Sequence, residues 1–124
     1  PIKEFQNKPI LQAVAFVDNQ EADIIEAKLP NCSITRWNNV AIDILSKKGG
    51  KANTIERYIQ SINIKQEETM SFGDGINDIS MLEYCHIGVA MGNAKDEVKT
   101  IANYVTTDID ATGLYQALKH FKII

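Results

Sequence analysis

The segment of residues 73–78, with the sequence GDGIND, carries the side chains of this protein that are best suited to chemistry. An apolar, strand-like run precedes it and a helical pattern follows it. Active sites of open parallel sheets lie at strand ends of this kind. Gly73 and Gly75 allow the backbone to turn and to approach a ligand closely, and the carboxylates of Asp74 and Asp78 follow just beyond the strand.

Two carboxylates beside backbone amides suit Mg²⁺ and phosphate together, because magnesium prefers about six oxygen ligands and usually keeps water and substrate phosphate among them. The alternative is an ordinary strand-to-helix turn, in which Asn77 or Asp78 caps the helix. Each residue alone favours that turn, whereas the combination GDGxNDxxML favours a functional site. The third glycine of a dinucleotide fingerprint and the GxxxxGK[ST] pattern are both missing, which excludes Rossmann and P-loop nucleotide sites.

Hydrophobic patterns divide the chain into two parts. The first predicts a strand over residues 11–17, a helix over 19–29 and two strands over 32–37 and 40–45, with Asn38-Asn39 as a hairpin turn that tolerates positive φ. The Gly-rich basic stretch after this βαββ pattern predicts a boundary between residues 46 and 47. We therefore expect domains over residues 1–46 and 47–124.

The second part alternates between the two kinds of element. Helices are predicted over residues 51–61, 77–84, 95–102 and 114–121, and strands over residues 69–72, 86–91 and 104–106. Strands and helices that alternate with short connections predict an α/β fold with a parallel sheet.

Composition excludes several classes of protein. The 124 residues include 13 Lys and Arg against 16 Asp and Glu, and the basic residues are scattered, which argues against nucleic-acid binding. No apolar run approaches the roughly 20 residues that cross a bilayer. Residues 1–5 lack the apolar block of a secretion signal, so we expect a cytoplasmic protein.

Residues 72–82 resemble the fourth motif of the haloacid dehalogenase superfamily, in the version found in its Cof-type sugar-phosphate phosphatases. Residues 47–52 (KKGGKA) resemble the segment with the third-motif lysine, here Lys51, and residues 88–94 (GVAMGNA) and 102–106 (ANYVT) resemble later strands. The resemblance implies the C-terminal half of a Rossmannoid parallel-sheet core. Before it would stand a βαββ remnant of an α+β cap domain.

By this resemblance the intact protein would be a Mg²⁺-dependent phosphatase that hydrolyses phosphate monoesters through an aspartyl-phosphate. Asp74 would ligate Mg²⁺ as a catalytic residue, and Asp78 would support the metal directly or through water. Gly73 and Gly75 would shape the loop.

The resemblance also implies residues that bind phosphate. Lys51, the second catalytic residue, would neutralise the phosphoryl oxygens, and Asn77 would donate a hydrogen bond to phosphate. Asn93 would contact substrate or brace the loop, although a turn-forming role is equally consistent with its type.

One departure from the family pattern concerns its first two motifs. No DxDGT[LV] segment, which supplies the nucleophilic aspartate, precedes Lys51, and neither does the second motif. The nearest sequence, DIDATG at residues 108–113, lacks a glycine directly after its second aspartate and follows the fourth motif, so it is interpreted as a loop that leads into the last helix. We therefore expect the 124-residue chain alone to be inactive.

We also expect the strand over residues 69–72 to have an unpaired apolar edge that favours self-association or a complementary N-terminal fragment.

Two rival functions remain at this point. The phosphorylation domains of P-type ion pumps also carry GDGxND, although Met81-Leu82 and residues 92–94 fit the phosphatases better. A non-catalytic regulatory module that binds Mg²⁺ and sugar phosphate is the other. The expected partner is a small phosphorylated metabolite, such as a sugar phosphate, and neither nucleic acid nor a membrane.

Overall fold

The computed structural model describes residues 9–124 and divides the chain into two compact units, of which the first ends at Gly50 and the second spans Lys51–Ile124. The prediction that concerns residues 1–5 lies outside the described part. The division falls beyond the predicted boundary at residue 46. The reason lies in two backbone hydrogen bonds, from Lys47 N to the Asn31 carbonyl (3.0 Å) and from Gly49 N to the Ser46 carbonyl (2.7 Å). The identification of the first unit as part of a cap stays a prediction.

The first unit has the expected βαββ order. Its elements are β1 (Gln12–Phe16), α1 (Asn19–Lys28), β2 (Cys32–Asn38) and β3 (Ala41–Ser46). Both strand pairs are antiparallel, and β3 lies between β1 and β2. A capping box starts α1, because the Asp18 carboxylate accepts from Glu21 N and the Glu21 carboxylate accepts from Asp18 N.

The β2–β3 turn differs from the prediction. It consists of Asn39 and Val40 rather than Asn38-Asn39, and the register shifts between Arg36 and Asn38. Asn38 Oδ1 accepts from Val40 N at 2.9 Å, so a side chain closes the turn and neither asparagine adopts positive φ.

The second unit alternates helices and parallel strands as predicted. Its elements are α2 (Lys51–Ser61), β4 (Met70–Gly73), α3 (Ile79–Tyr84), β5 (Ile87–Ala90), α4 (Asp96–Ile101), β6 (Tyr104–Val105) and α5 (Gly113–His120), with 3₁₀ turns at Gln66–Glu68, Ile76–Asp78 and Ile109–Ala111. The strand order is β4-β5-β6, and both pairs are parallel. Within the described residues β4 pairs only with β5, as expected for an open strand edge.

A buried cluster of Leu82, Ala90, Ala94 and Val98 joins α3, β5 and α4. Gly88 lets α3 lie directly on β5, since a Cβ there would collide with the Leu82 carbonyl. Ile76 and Ile79 pack against this cluster, which anchors the α3 end of the loop that follows β4. No helix in the described part of the chain is long and apolar enough to cross a membrane.

Candidate functional site

The loop between β4 and α3 extends further than predicted, because α3 begins at Ile79 and not at residue 77. The expected helix over residues 77–84 begins with a 3₁₀ turn, in which Asp78 N donates to the Gly75 carbonyl at 2.9 Å. Gly73 supplies room rather than unusual dihedral angles, because a Cβ there would lie 2.5 Å from the Cβ of Asp78. The loop therefore folds tightly back on the strand end.

Asp78 is the buried acid of this loop, with 6% of its surface exposed. Its Oδ2 accepts hydrogen bonds from the backbone amides of Asp74 and Gly75, both at 3.1 Å, and its Oδ1 accepts one from Lys51 Nζ. Burial raises the pKa of this carboxyl. The hydrogen bonds from Lys51, Gly75 and Asp74, together with the Lys51 charge, outweigh burial and hold the pKa below its ordinary value of 3.8.

Lys51 is the first residue of α2, and it reaches Asp78 across 27 positions of sequence. Its side chain is 47% exposed, so the ammonium group meets solvent as well as the buried carboxylate. A cation held in this way remains available to a negatively charged ligand.

Asp74 is the exposed acid of the loop. Its Oδ2 accepts from Asn93 Nδ2 at 3.0 Å, and Asn93 Oδ1 in turn accepts from Ile109 N at 3.3 Å. Its other carboxylate oxygen accepts no hydrogen bond within residues 9–124, which leaves that oxygen available to a cation.

A cavity of about 360 Å³ brings most of the predicted site residues together. Its polar lining comes from Lys51, Asp74, Asp78 and Asn93, and its remaining lining comes from Phe72, Gly73, Met81, Met91, Ile109 and Leu114. Asn77 and Gly75 are not among the lining residues. Asn77 instead lies half-buried against Gly75, with Oδ1 2.6 Å from the place of a Cβ on that glycine.

Sequence reasoning missed the part of the lining that follows β6. Ile109 and Leu114 come from the segment 108–114, which the sequence analysis treated only as a connection. The position of this segment after a predicted strand could have indicated its place in the site, because the carboxyl ends of neighbouring parallel strands meet at one edge of the sheet.

The donor atoms fit part of a magnesium site. Among the described residues, no group of three or more His, Cys, Asp or Glu side chains could hold a metal ion. Asp74 offers one uncommitted carboxylate oxygen, which is a ligand that Mg²⁺ prefers. Both oxygens of Asp78 are engaged by protein donors, which favours a supporting role over direct ligation.

Comparison with known proteins identifies the family of this chain. The profile of the haloacid dehalogenase-like hydrolase family matches residues 1–118. The putative phosphatase YkrA of Bacillus subtilis is 36% identical over 120 residues, which cover 97% of this chain and 46% of that protein.

Two solved structures have closely similar folds. The subclass IIB sugar phosphatase BT4131 is 46% identical with a TM-score of 0.91, and the match covers 98% of this chain and 47% of that one. The phosphatase BT1666 of Bacteroides thetaiotaomicron is 37% identical with a TM-score of 0.93, over 98% of this chain and 46% of that one. The chain thus spans about half the length of these relatives, and it belongs to the haloacid dehalogenase-like hydrolases.

Proposed function

We propose that this chain is the C-terminal part of a Mg²⁺-dependent phosphatase that hydrolyses phosphate monoesters of small metabolites. The observation that carries the proposal is the cavity in which Lys51, Asp74 and Asp78 meet at the carboxyl end of β4. A cation and an uncommitted carboxylate oxygen at one strand end suit a phosphoryl group and its counter-ion.

The positively and negatively charged residues of the cavity would have different roles. Lys51 would hold the phosphoryl oxygens, and Asp78 would orient that ammonium group through their hydrogen bond. Asp74 would hold Mg²⁺, which when bound supplies a Lewis acid that offsets negative charge on the phosphoryl group. Asn77 remains a proposed phosphate donor, although it lies outside the cavity lining.

The nucleophile of this reaction is proposed to lie in other polypeptide. The DIDATG segment lacks the DxDGT pattern, and it forms the 3₁₀ turn Ile109–Ala111 and the entry to α5. The family's aspartyl-phosphate would then form on a residue that this chain does not supply. We therefore propose that the chain has no phosphatase activity by itself.

Sugar phosphates are the proposed substrate class. The support is that BT4131, 46% identical over 98% of this chain, is called a sugar phosphatase. BT4131 and BT1666 are described as phosphatases and YkrA is named a putative phosphatase, which favours this function over an ion-pump phosphorylation domain. A cytoplasmic location stays a prediction.

The test is hydrolysis of p-nitrophenyl phosphate and of a hexose phosphate with Mg²⁺. The chain is assayed alone and after addition of a polypeptide with the DxDGT segment of a relative. We expect no turnover from the chain alone and Mg²⁺-dependent turnover from the mixture. Asp74→Ala should lower the mixture's activity by about 100-fold or more, because it removes a charge that stabilises the transition state.

Asp96→Ala is the matched control, since Asp96 is an exposed aspartate on α4 outside the cavity lining. Its activity in the mixture should equal that of the unaltered chain. Turnover by the chain alone that disappears in Asp74→Ala would contradict the inference of a missing nucleophile. Calorimetric binding of Mg²⁺ and hexose phosphate without turnover in the mixture would favour the regulatory module.

A further inference from the structure

We propose that Asn93 is a positioning residue that links the Asp74 carboxylate to the loop of residues 107–112. Through this link, binding of a cation to Asp74 changes the environment of the Ile109 backbone amide. One end of the Asn93 side-chain amide donates to Asp74 and the other accepts from Ile109 N. The cation part of this inference rests on the proposed function. The link itself rests on the two hydrogen bonds.

Asn93 lies in the turn of residues 91–95, which is attached to the end of β4. Met91 N donates to the Gly73 carbonyl at 3.0 Å, and Lys95 N lies 3.4 Å from the Asp74 carbonyl, to which it donates. Both ends of this turn, Met91 and Lys95, are therefore held in place by the backbone of Gly73 and Asp74. The Asn93 side chain adds the contact that reaches the carboxylate.

The same turn lies directly against the 107–112 loop. Gly92 N donates to the Thr107 carbonyl at 3.1 Å, and a Cβ at Gly92 would lie 2.5 Å from the backbone nitrogen of Asp108. This close backbone approach brings Ile109 N within reach of Asn93. Since Ile109 also lines the cavity, the loop is part of the site wall.

The chemistry of the two partners determines the orientation of the Asn93 amide. The Ile109 N–H can only donate, so it requires the carbonyl oxygen, and the Asp74 carboxylate can only accept, so it requires the NH₂ group. A side chain with one kind of group cannot satisfy both. Hydrogen bonds that orient a metal-ligating carboxylate typically change metal affinity about 10- to 100-fold when they are removed.

Three variants separate the two halves of the link. Asn93→Ala removes both hydrogen bonds, whereas Asn93→Asp keeps an acceptor for Ile109 N and removes the donor to Asp74. Asn103→Asp is the matched control, because Asn103 Oδ1 accepts from Gly88 N at 2.7 Å and would keep that bond as an aspartate. All three are compared with the unaltered 124-residue chain by ¹⁵N NMR.

The first measurement is hydrogen exchange at the Ile109 amide without metal. We expect exchange to be about fivefold faster in Asn93→Ala, as loss of one net hydrogen bond predicts, and unchanged in Asn93→Asp and Asn103→Asp. The second is a Mg²⁺ titration of the amides of Asp74, Gly75 and Ile109. In the unaltered chain, the NMR signals of these three amides should shift with one common midpoint in Mg²⁺ concentration. In Asn93→Ala the midpoint at Asp74 and Gly75 should rise about tenfold, and Ile109 should no longer respond.

Each outcome decides between the link and its absence. Equal exchange at Ile109 in the unaltered chain and Asn93→Ala, or an unchanged Mg²⁺ midpoint in Asn93→Ala, would overturn the proposal. If Mg²⁺ shifts neither Asp74 nor Gly75 in the unaltered chain, the proposed function fails in this chain. The exchange rates alone then support the link when Asn93→Ala is faster and overturn it when the rates are equal.

Discussion

Among the described residues, the second unit has the larger buried core, and Ile42 is the one large side chain of the first unit that is fully buried. In the second unit, Leu82, Val89 and Val98 are at most 1% exposed. In the first, Leu11 is 84% exposed and Phe16 of β1 is 78% exposed. The predicted chemistry therefore lies in the unit with the well-packed interior. A catalytic group needs a scaffold that holds it still, and packing of this kind supplies one.

The largest expected effect tests this contrast in packing directly. Leu82→Ala should lower the free energy of unfolding by about 2–5 kcal/mol, because it opens a cavity in the buried cluster. Phe16→Ala, the matched truncation in the first unit, should change it by about 0.5 kcal/mol or less. Urea denaturation followed by circular dichroism measures both. Equal losses in the two variants would show that the contrast in exposure has no energetic counterpart.

A smaller effect concerns the ion pair that the second unit encloses. Lys51→Met leaves the buried Asp78 carboxylate without its cation, and we expect a loss of about 1 kcal/mol at neutral pH. This is below the usual range for hydrogen bonds to charged groups, because Lys51 is half-exposed. Lys119→Met on α5, an exposed lysine, is the control and should be neutral. If Lys51→Met leaves the free energy of unfolding unchanged, water replaces the ammonium group at no cost in stability.

The pH dependence of the same pair has a definite sign. The pKa of Asp78 is lower in the folded chain than its ordinary value of 3.8, so its contribution to stability is complete above that value. It is lost as the pH falls through the folded-state pKa. Denaturation between pH 7 and pH 3 should therefore show a smaller acid loss in Lys51→Met than in the unaltered chain, and a larger one would contradict the assignment.

The smallest effect compares one edge strand from each of the two sheets that the described residues form. We expect self-association through the edge of β4 that has no strand partner within residues 9–124, and Met70→Lys should weaken it because a charge on an edge strand opposes pairing. Val14→Lys places the same charge on β1, an edge strand of the first unit. Light scattering at high concentration measures both. A strictly monomeric chain would contradict the expectation, and a response only to Val14→Lys would move the interface to the first unit.

Local patterns predicted the elements better than the site. The helix over Lys51–Ser61 has the bounds that its periodicity predicts, since helix periodicity is a property of neighbouring residues. The expected helical start at residue 77 was wrong. The Asp78 side chain accepts from the amides of Asp74 and Gly75 instead, and a 3₁₀ turn results. Side chains that bond to nearby backbone compete with regular helix in this way.

The sequence by itself determined which side chains are available for chemistry and the order of elements that carries them. Only the tertiary structure decided that Lys51 meets Asp78 across 27 residues and that Asn93 joins Asp74, 19 residues away, to Ile109, 16 residues away. The physical reason is that residue type and periodicity act over a few neighbours. The distance between two strand ends depends on sheet order and packing, which no short segment encodes.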